Sequence, residues 1–356
     1  MFGVTNRRVI ESASGLDKLG SRPNPKGPNE LRLFSARPRG QGWSVDILPD
    51  TLTNAMKDEL GAPRNQRQLA SYYVARKIFE QARGEKRNVL FFVHGYNNDL
   101  EAVLRRARAF ETDYNVIAVP FTWPANGGGL SGVASYKSDK RDARASADAL
   151  DRSLAKAAGY LAAFTEQARA ELREKVLEKH PDDREAQDAL YAELLDRECP
   201  FRVSAVFHSM GNYLLKHMLK SSLAEGNSLL FDNIVLASAD TNNQDHADWV
   251  SRLKFRRRLY VTINENDGAL AASRAKIGDK QLARLGHYPF ALDCREAVYV
   301  NFTNAAWVRR DHAYFGGEPV EKNEDVKAFF NKAFNGEVAE ESLRYIPDNN
   351  YYEFRN

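Results

Sequence analysis

The sequence predicts an α/β fold, a mostly parallel central sheet with helices on both faces. Three observations carry this expectation. Asn88–Val93 and Val116–Thr122 are continuous apolar runs, the pattern of strands buried on both faces. Segments with helical periodicity alternate with such runs along most of the chain. Finally, Val203–Leu215 passes from an apolar, β-branched run through His208-Ser209-Met210-Gly211 directly into an amphipathic helical pattern. Strand, tight turn and helix with a serine at the apex is the layout of a nucleophile elbow.

In chain order, Phe2–Val9 reads as a first strand, followed by a Gly/Pro/Asn-rich loop through Asn29. Leu31–Ala36 and Trp43–Leu48 read as a hairpin. From Pro63 the period changes, and Leu69, Tyr72, Tyr73, Arg76, Ile78 and Phe79 share one helix face, with Gly84 as a C-cap. The strand at Asn88–Val93 ends in His94-Gly95-Tyr96-Asn97-Asn98, and a helix follows from Leu100 to Asp113. Trp123-Pro124 and a glycine run break the strand at Val116–Thr122. A long, charged, alanine-rich helix is expected from Ser138 to Lys179, and a second piece to Arg197 after Pro181-Asp182-Asp183. This region exceeds what a crossover needs, so residues 165–200 read as a helical insertion before the nucleophile strand, either a lid or a contact element. Asn233–Ala237, Arg258–Ile263 and Ala297–Phe302 follow as strands, and Asp325–Phe334 as a closing helix. The whole chain, 1–356, reads as one domain.

Composition excludes several function classes. A net charge of +3 over 356 residues gives no bias toward polyanions, and no aromatic-interleaved basic stripe suggests nucleic acid as a partner. The two cysteines, Cys199 and Cys294, lie far apart without metal spacing and read as buried thiols of a reducing compartment. No stretch is apolar enough to span a bilayer or to direct export, so the cytoplasm is expected. No His/Asp/Glu group has the spacing of a metal motif, so neither metal nor cofactor is expected.

A serine hydroxyl needs a base to take its proton and an acid to orient that base. In the elbow layout these follow the serine in the order acid, then histidine, each after a later strand. Asp267 fits the acid, on the polar loop after Leu259–Ile263, with Asp240 and Glu265 as alternatives. His312 fits the base, being the histidine that follows the last expected strand, with His287 the weaker candidate. His208 is expected to pack or hydrogen-bond beneath the serine. An oxyanion hole requires two N–H groups, and Met210 and Tyr96 are placed to supply them, with Gly95 allowing the sharp turn. Gly95, Asn97 and Trp123 are assigned to substrate binding, and Phe121 and Tyr136 join Tyr96 and Trp123 as candidates for lining an apolar acyl pocket.

F-G-V-T-N-R at 2–7, V-H-G-Y-N-N at 93–98, F-T-W-P at 121–124, H-S-M-G-N at 208–212, N-D at 266–267 and D-H-A-Y-F at 311–315 together resemble the α/β-hydrolase superfamily. They are most similar to its bacterial group of uncharacterised hydrolases with an H-G-[YF]-N loop and an H-S-M-G-N elbow. The resemblance implies an α/β-hydrolase fold with Ser209, Asp267 and His312 as the triad, and no settled substrate. Phe207 departs from it, standing where G-x-S-x-G has its first glycine. The function expected is hydrolysis of a small-molecule or lipid acyl ester through an acyl-serine. Thioesterase or acyltransferase chemistry uses the same triad, and a catalytically quiet binding module is the rival from another class.

Overall fold

Alternate side chains of the strand Val89–Val93 enter two different cores. Val89, Phe91 and Val93 belong to one cluster and Leu90 and Phe92 to another. All five are buried, so the strand needs helices on both sides. A computed structural model describes residues 1–125, 132–198, 201–221, 224–275 and 282–355. Its strands are β1 (Phe2–Thr5), β2 (Arg7–Val9), β3 (Leu19–Pro23), β4 (Arg32–Arg39), β5 (Gly42–Ile47), β6 (Val89–Val93), β7 (Ile117–Thr122), β8 (Val203–His208), β9 (Phe231–Ala237), β10 (Phe255–Ile263), β11 (Ala297–Asn301), β12 (Arg344–Ile346) and β13 (Tyr351–Glu353). Its helices are α1 (Asn54–Glu59), α2 (Ala70–Glu85), α3 (Leu100–Tyr114), α4 (Gly132–Ala145), α5 (Ala147–Lys179), α6 (Arg184–Glu198), α7 (Met210–Leu219), α8 (Ala247–Val250), α9 (Gly268–Ala275), α10 (Glu318–Lys322) and α11 (Glu324–Phe334).

Eleven strands form one sheet in the order β12-β13-β11-β10-β9-β8-β6-β7-β1-β4-β5. The run from β1 to β13 is parallel, and antiparallel strands close both edges. One face packs against α5 and α7 through Leu150, Leu154, Leu214 and Met218. The other packs against α3 and α11 through Val103, Phe110, Phe329 and Phe330. The chain reverses its direction of travel across the sheet between β6 and β8. In open α/β sheets, ligands bind outside the carboxyl ends of the strands at such a switch point. The loops after β6 and after β8, which carry Gly95 and Ser209, leave the sheet there.

The structure corrects several boundaries. The expected strand Phe2–Val9 is two strands, β1 in the main sheet and β2 paired with β3. The break is at Asn6, whose amide donates to the carbonyl of Pro28 and to Ser146 Oγ. Gly84 lies inside α2, and the left-handed cap is Lys86, at φ 51. The long helix divides at Ser146, whose Oγ donates to the Asp142 carbonyl at 2.7 Å. The strand at Ala297–Asn301 is not the last, because the tyrosine-rich tail adds β12 and β13 beyond it.

The described part of the 165–200 segment packs on itself and on α2. Leu172, Val176 and Leu194 form a cluster between α5 and α6. Phe164 and Ala168 meet Phe79 near Phe201, at the amino end of β8. That is the end of the sheet opposite Ser209, the wrong side for a lid. Among the described residues no helix is long and apolar enough to cross a membrane. Cys294 is buried and free, its thiol pushed up to about 11 by burial, and Cys199 lies outside the described residues.

Candidate active site

Ser209 stands between β8 and α7 with φ 54 and ψ −119, a conformation a β-carbon disfavours. Backbone bonds hold it there. Its N–H donates to the Ala237 carbonyl at 2.9 Å, and its own carbonyl accepts from the N–H groups of Asn212 and Asp240. The Asn212 amide donates to the Phe207 carbonyl at 2.7 Å, bracing the turn from inside. The first N–H groups of α7 have no intrahelical partner, and Met210 supplies the first of them.

Phe207 does not strain the elbow. Its side chain is fully buried in the core beneath α5 and α7, in one cluster with Leu154, Leu215 and Met218. The close approach falls on Gly211 instead. A β-carbon there would lie 2.8 Å from the Val93 carbonyl oxygen and 2.9 Å from that of His94. Gly211→Ala is therefore expected to destabilise the protein by about 1–3 kcal/mol, because both obstacles are backbone. A urea midpoint equal to wild type would contradict this.

Gly95 is the second close approach, since its β-carbon would fall 2.6 Å from Ser209 Cβ and 3.2 Å from Ser209 Oγ. The loop after β6 thus passes directly over Ser209, with Tyr96 next in line. Several buried groups hold this loop. Trp123 stacks on His94 at 5.1 Å and 3° and donates its indole N–H to the His94 carbonyl at 2.9 Å. His94 donates from Nδ1 to the Gly95 carbonyl and accepts at Nε2 from the Trp123 N–H and Thr122 Oγ1. Arg7, 1% exposed, donates to Thr122 Oγ1 and to the carbonyls of Ala125 and Asn98, tying together the loops after β6 and β7. Burial lowers its pKa to about 10. Sequence reasoning missed Arg7 as a positioning residue. The signal available was F-G-V-T-N-R itself, a charged residue inside the stretch expected to be one strand.

Two placements differ from expectation. Trp123 and Phe121 are fully buried. Trp123 supports the loop from beneath and Phe121 packs in the core. Tyr96 is half-buried, edge-on to Tyr136 at 5.5 Å. Asn97 is exposed with φ 58, and its N–H donates to Asp139 at 3.3 Å.

Asp267 and His312 come together. His312 Nδ1 lies 2.6 Å from Asp267 Oδ2, while Asp267 Oδ1 accepts the N–H groups of Ala269 and Leu270 at the start of α9. Asp267 is wholly buried and the His312 side chain 23% exposed, so the pair opens to solvent on the imidazole side only. His208 sits beside it, its ring 4.7 Å from that of His312. His208 Nε2–H and Ser238 Oγ both donate to the His312 carbonyl, fixing that residue's backbone.

The alternative residues are engaged elsewhere. Asp240 is buried with Arg284, Tyr136 and Ser273, accepting from Ser273 at 2.7 Å and Tyr136 at 2.9 Å, with Arg284 at 3.1 Å. Glu265 is exposed and bonded to Thr303 and Asn301. His287 is half-buried on the segment after Arg284.

Burial holds His94 at about 3 and His208 well below the ordinary imidazole range. Both are neutral when folded and take up a proton when unfolded below about pH 6.5, so acid favours unfolding. Each is expected to cost up to about 1.4 kcal/mol of stability per pH unit below that pH, and nothing above it. Urea unfolding at pH 6.5 and pH 5 checks the sign, and a midpoint constant across that interval would refute it.

A family model described as an alpha/beta hydrolase of unknown function (DUF900) matches residues 73–163 and 155–309. No curated protein and no solved structure matches the chain.

Proposed function

The chain belongs to the alpha/beta hydrolase family of unknown function, and from that premise we propose that it is a serine hydrolase of acyl esters. The observation that carries this reading is Ser209 held at φ 54 on the elbow, with a buried Asp267 2.6 Å from the part-exposed His312 and both following it in the chain. In the proposed cycle His312 Nε2 takes the Ser209 proton as Oγ attacks the ester carbonyl. The N–H groups of Met210 and Tyr96 hold the oxyanion, and the imidazolium, steadied by Asp267, returns the proton to the departing alcohol. An acyl-serine remains. Water gives a proton to His312 and attacks the acyl carbon. His312 passes that proton to Ser209 Oγ as the C–Oγ bond breaks, so the acid leaves and both Ser209 and the neutral imidazole are restored. Gly95 supports this reading through its closeness to Oγ, since a larger residue would crowd the carbonyl. A thioester or an acceptor alcohol in place of water would use the same groups.

A fluorophosphonate probe tests the proposal. Labelling is expected at Ser209 and nowhere in Ser209→Ala, together with Ser209-dependent turnover on a panel of short- and long-chain p-nitrophenyl esters. Equal labelling of both proteins would remove the basis of the mechanism. Intact folding with no turnover on any ester would favour a binding role.

A further inference from the structure

A cavity of about 350 Å³ opens between α2, α5 and the amino-terminal half of the sheet. Its walls are Ile78 and Phe79 of α2, Leu161 and Phe164 of α5, and Phe91 and Val119 of the strands. The volume lies within the range that holds small ligands, about 300–1,000 Å³, and is more than twice the roughly 150 Å³ that holds a benzene-sized guest. Val4, Leu31, Ile78, Leu161 and Val203 pack against the core yet keep part of their surface exposed, because the cavity leaves them uncovered. The site is separate from the elbow. None of Gly95, Ser209, Asp267 or His312 lines it, and Val203, which does, stands six residues before Ser209 on an extended strand, about 20 Å away.

The charges at the mouth indicate the occupant. Arg32 is committed to Glu30, at 2.5 Å, and to Asp50, at 3.6 Å. Arg152 and Lys156, one turn apart on α5, are exposed at the same rim. Arg152 donates to the Asn29 carbonyl at 2.7 Å and Lys156 lies over the Tyr160 ring. Neither forms an ion pair with a carboxylate among the described residues. An apolar slot with an excess of cationic donors at its entrance suits a single acyl chain carrying an anionic head. We propose that this cavity binds a fatty carboxylate, the chain lying between α2 and α5 and the head group at Arg152 and Lys156.

The fluorescent fatty acid cis-parinaric acid, titrated into the full chain, tests this. One equivalent is expected to bind and to be displaced by hexadecanoate. Binding should be the same in Ser209→Ala and in protein blocked at Ser209 by a phosphonate. The double variant R152E/K156E, altered only at exposed positions, should weaken hexadecanoate by about tenfold or more while leaving displacement by hexadecanol unchanged. Ala157 of α5 also lines the cavity, and Ala157→Trp, which fills the slot, should abolish binding of both. Loss of binding on blocking Ser209 would place the ligand in the acyl pocket and overturn the proposal. So would the absence of binding to wild type, or equal effects of charge reversal on acid and alcohol. If Ala157→Trp fails to fold, the charge-reversal comparison decides alone.

Discussion

On the proposed mechanism, Ser209→Ala is expected to lower ester hydrolysis on the order of a millionfold, as removal of the serine from a Ser–His–Asp triad does. The variant keeps a β-carbon, so its contact with Gly95 and its cost at φ 54 are unchanged, and unfolding midpoints should match wild type. Activity and stability therefore separate, and a structural role for the serine predicts the opposite pattern. Turnover within a hundredfold of wild type would mean that Ser209 is not the nucleophile. The small remaining rate should come from substrate binding and from the N–H groups of Met210 and Tyr96, which the substitution leaves in place.

Asp267→Asn is expected to lower kcat by roughly ten-thousandfold, through the tautomer of His312. The present carboxylate uses Oδ1 to accept the α9 N–H groups and Oδ2 to accept from His312 Nδ1. An asparagine can keep the first role with its oxygen, but its amide then meets Nδ1 as a donor. The imidazole must carry its proton on Nε2, where it can no longer accept from Ser209. Thermal stability should fall little, since the cap on α9 survives. Asp267→Ala loses both roles and should fall in activity and in stability together. A kcat for Asp267→Asn within tenfold of wild type would return the acid to Asp240 or Glu265.

How much was legible in the sequence follows from what each element needs. Strands buried on both faces leave an unmistakable apolar run, so β6 to β10 overlap Asn88–Val93, Val116–Thr122, the run from Val203 that leads into His208, Asn233–Ala237 and Arg258–Ile263, with β9 and β10 starting two and three residues earlier. The Asp267–His312 pairing was readable because chain order in this layout constrains it. Features set by polar side chains were not. The break at Asn6 depends on Ser146, 140 residues away, and no local pattern announces it. Trp123 looked like a pocket aromatic because its loop faces the site, but a buried carbonyl at His94 claims its indole N–H. The departure at Phe207 is visible in the sequence as a phenyl ring where G-x-S-x-G has a glycine, but its steric outcome is not. That outcome depends on where backbones touch, and here they touch at Gly211.

The backbone of Ser209 has a consequence for how this protein can change. A non-glycine residue in a sparsely populated region costs of order 1–3 kcal/mol and persists only when its surroundings over-determine it. Here they do, through the Ala237, Asn212 and Asp240 bonds. The elbow is thus a place where the fold gives up stability to keep a hydroxyl raised, and selection for robustness alone would erode it. Variants chosen only for heat resistance should be expected to relax this turn, and with it the placement of the Ser209 hydroxyl.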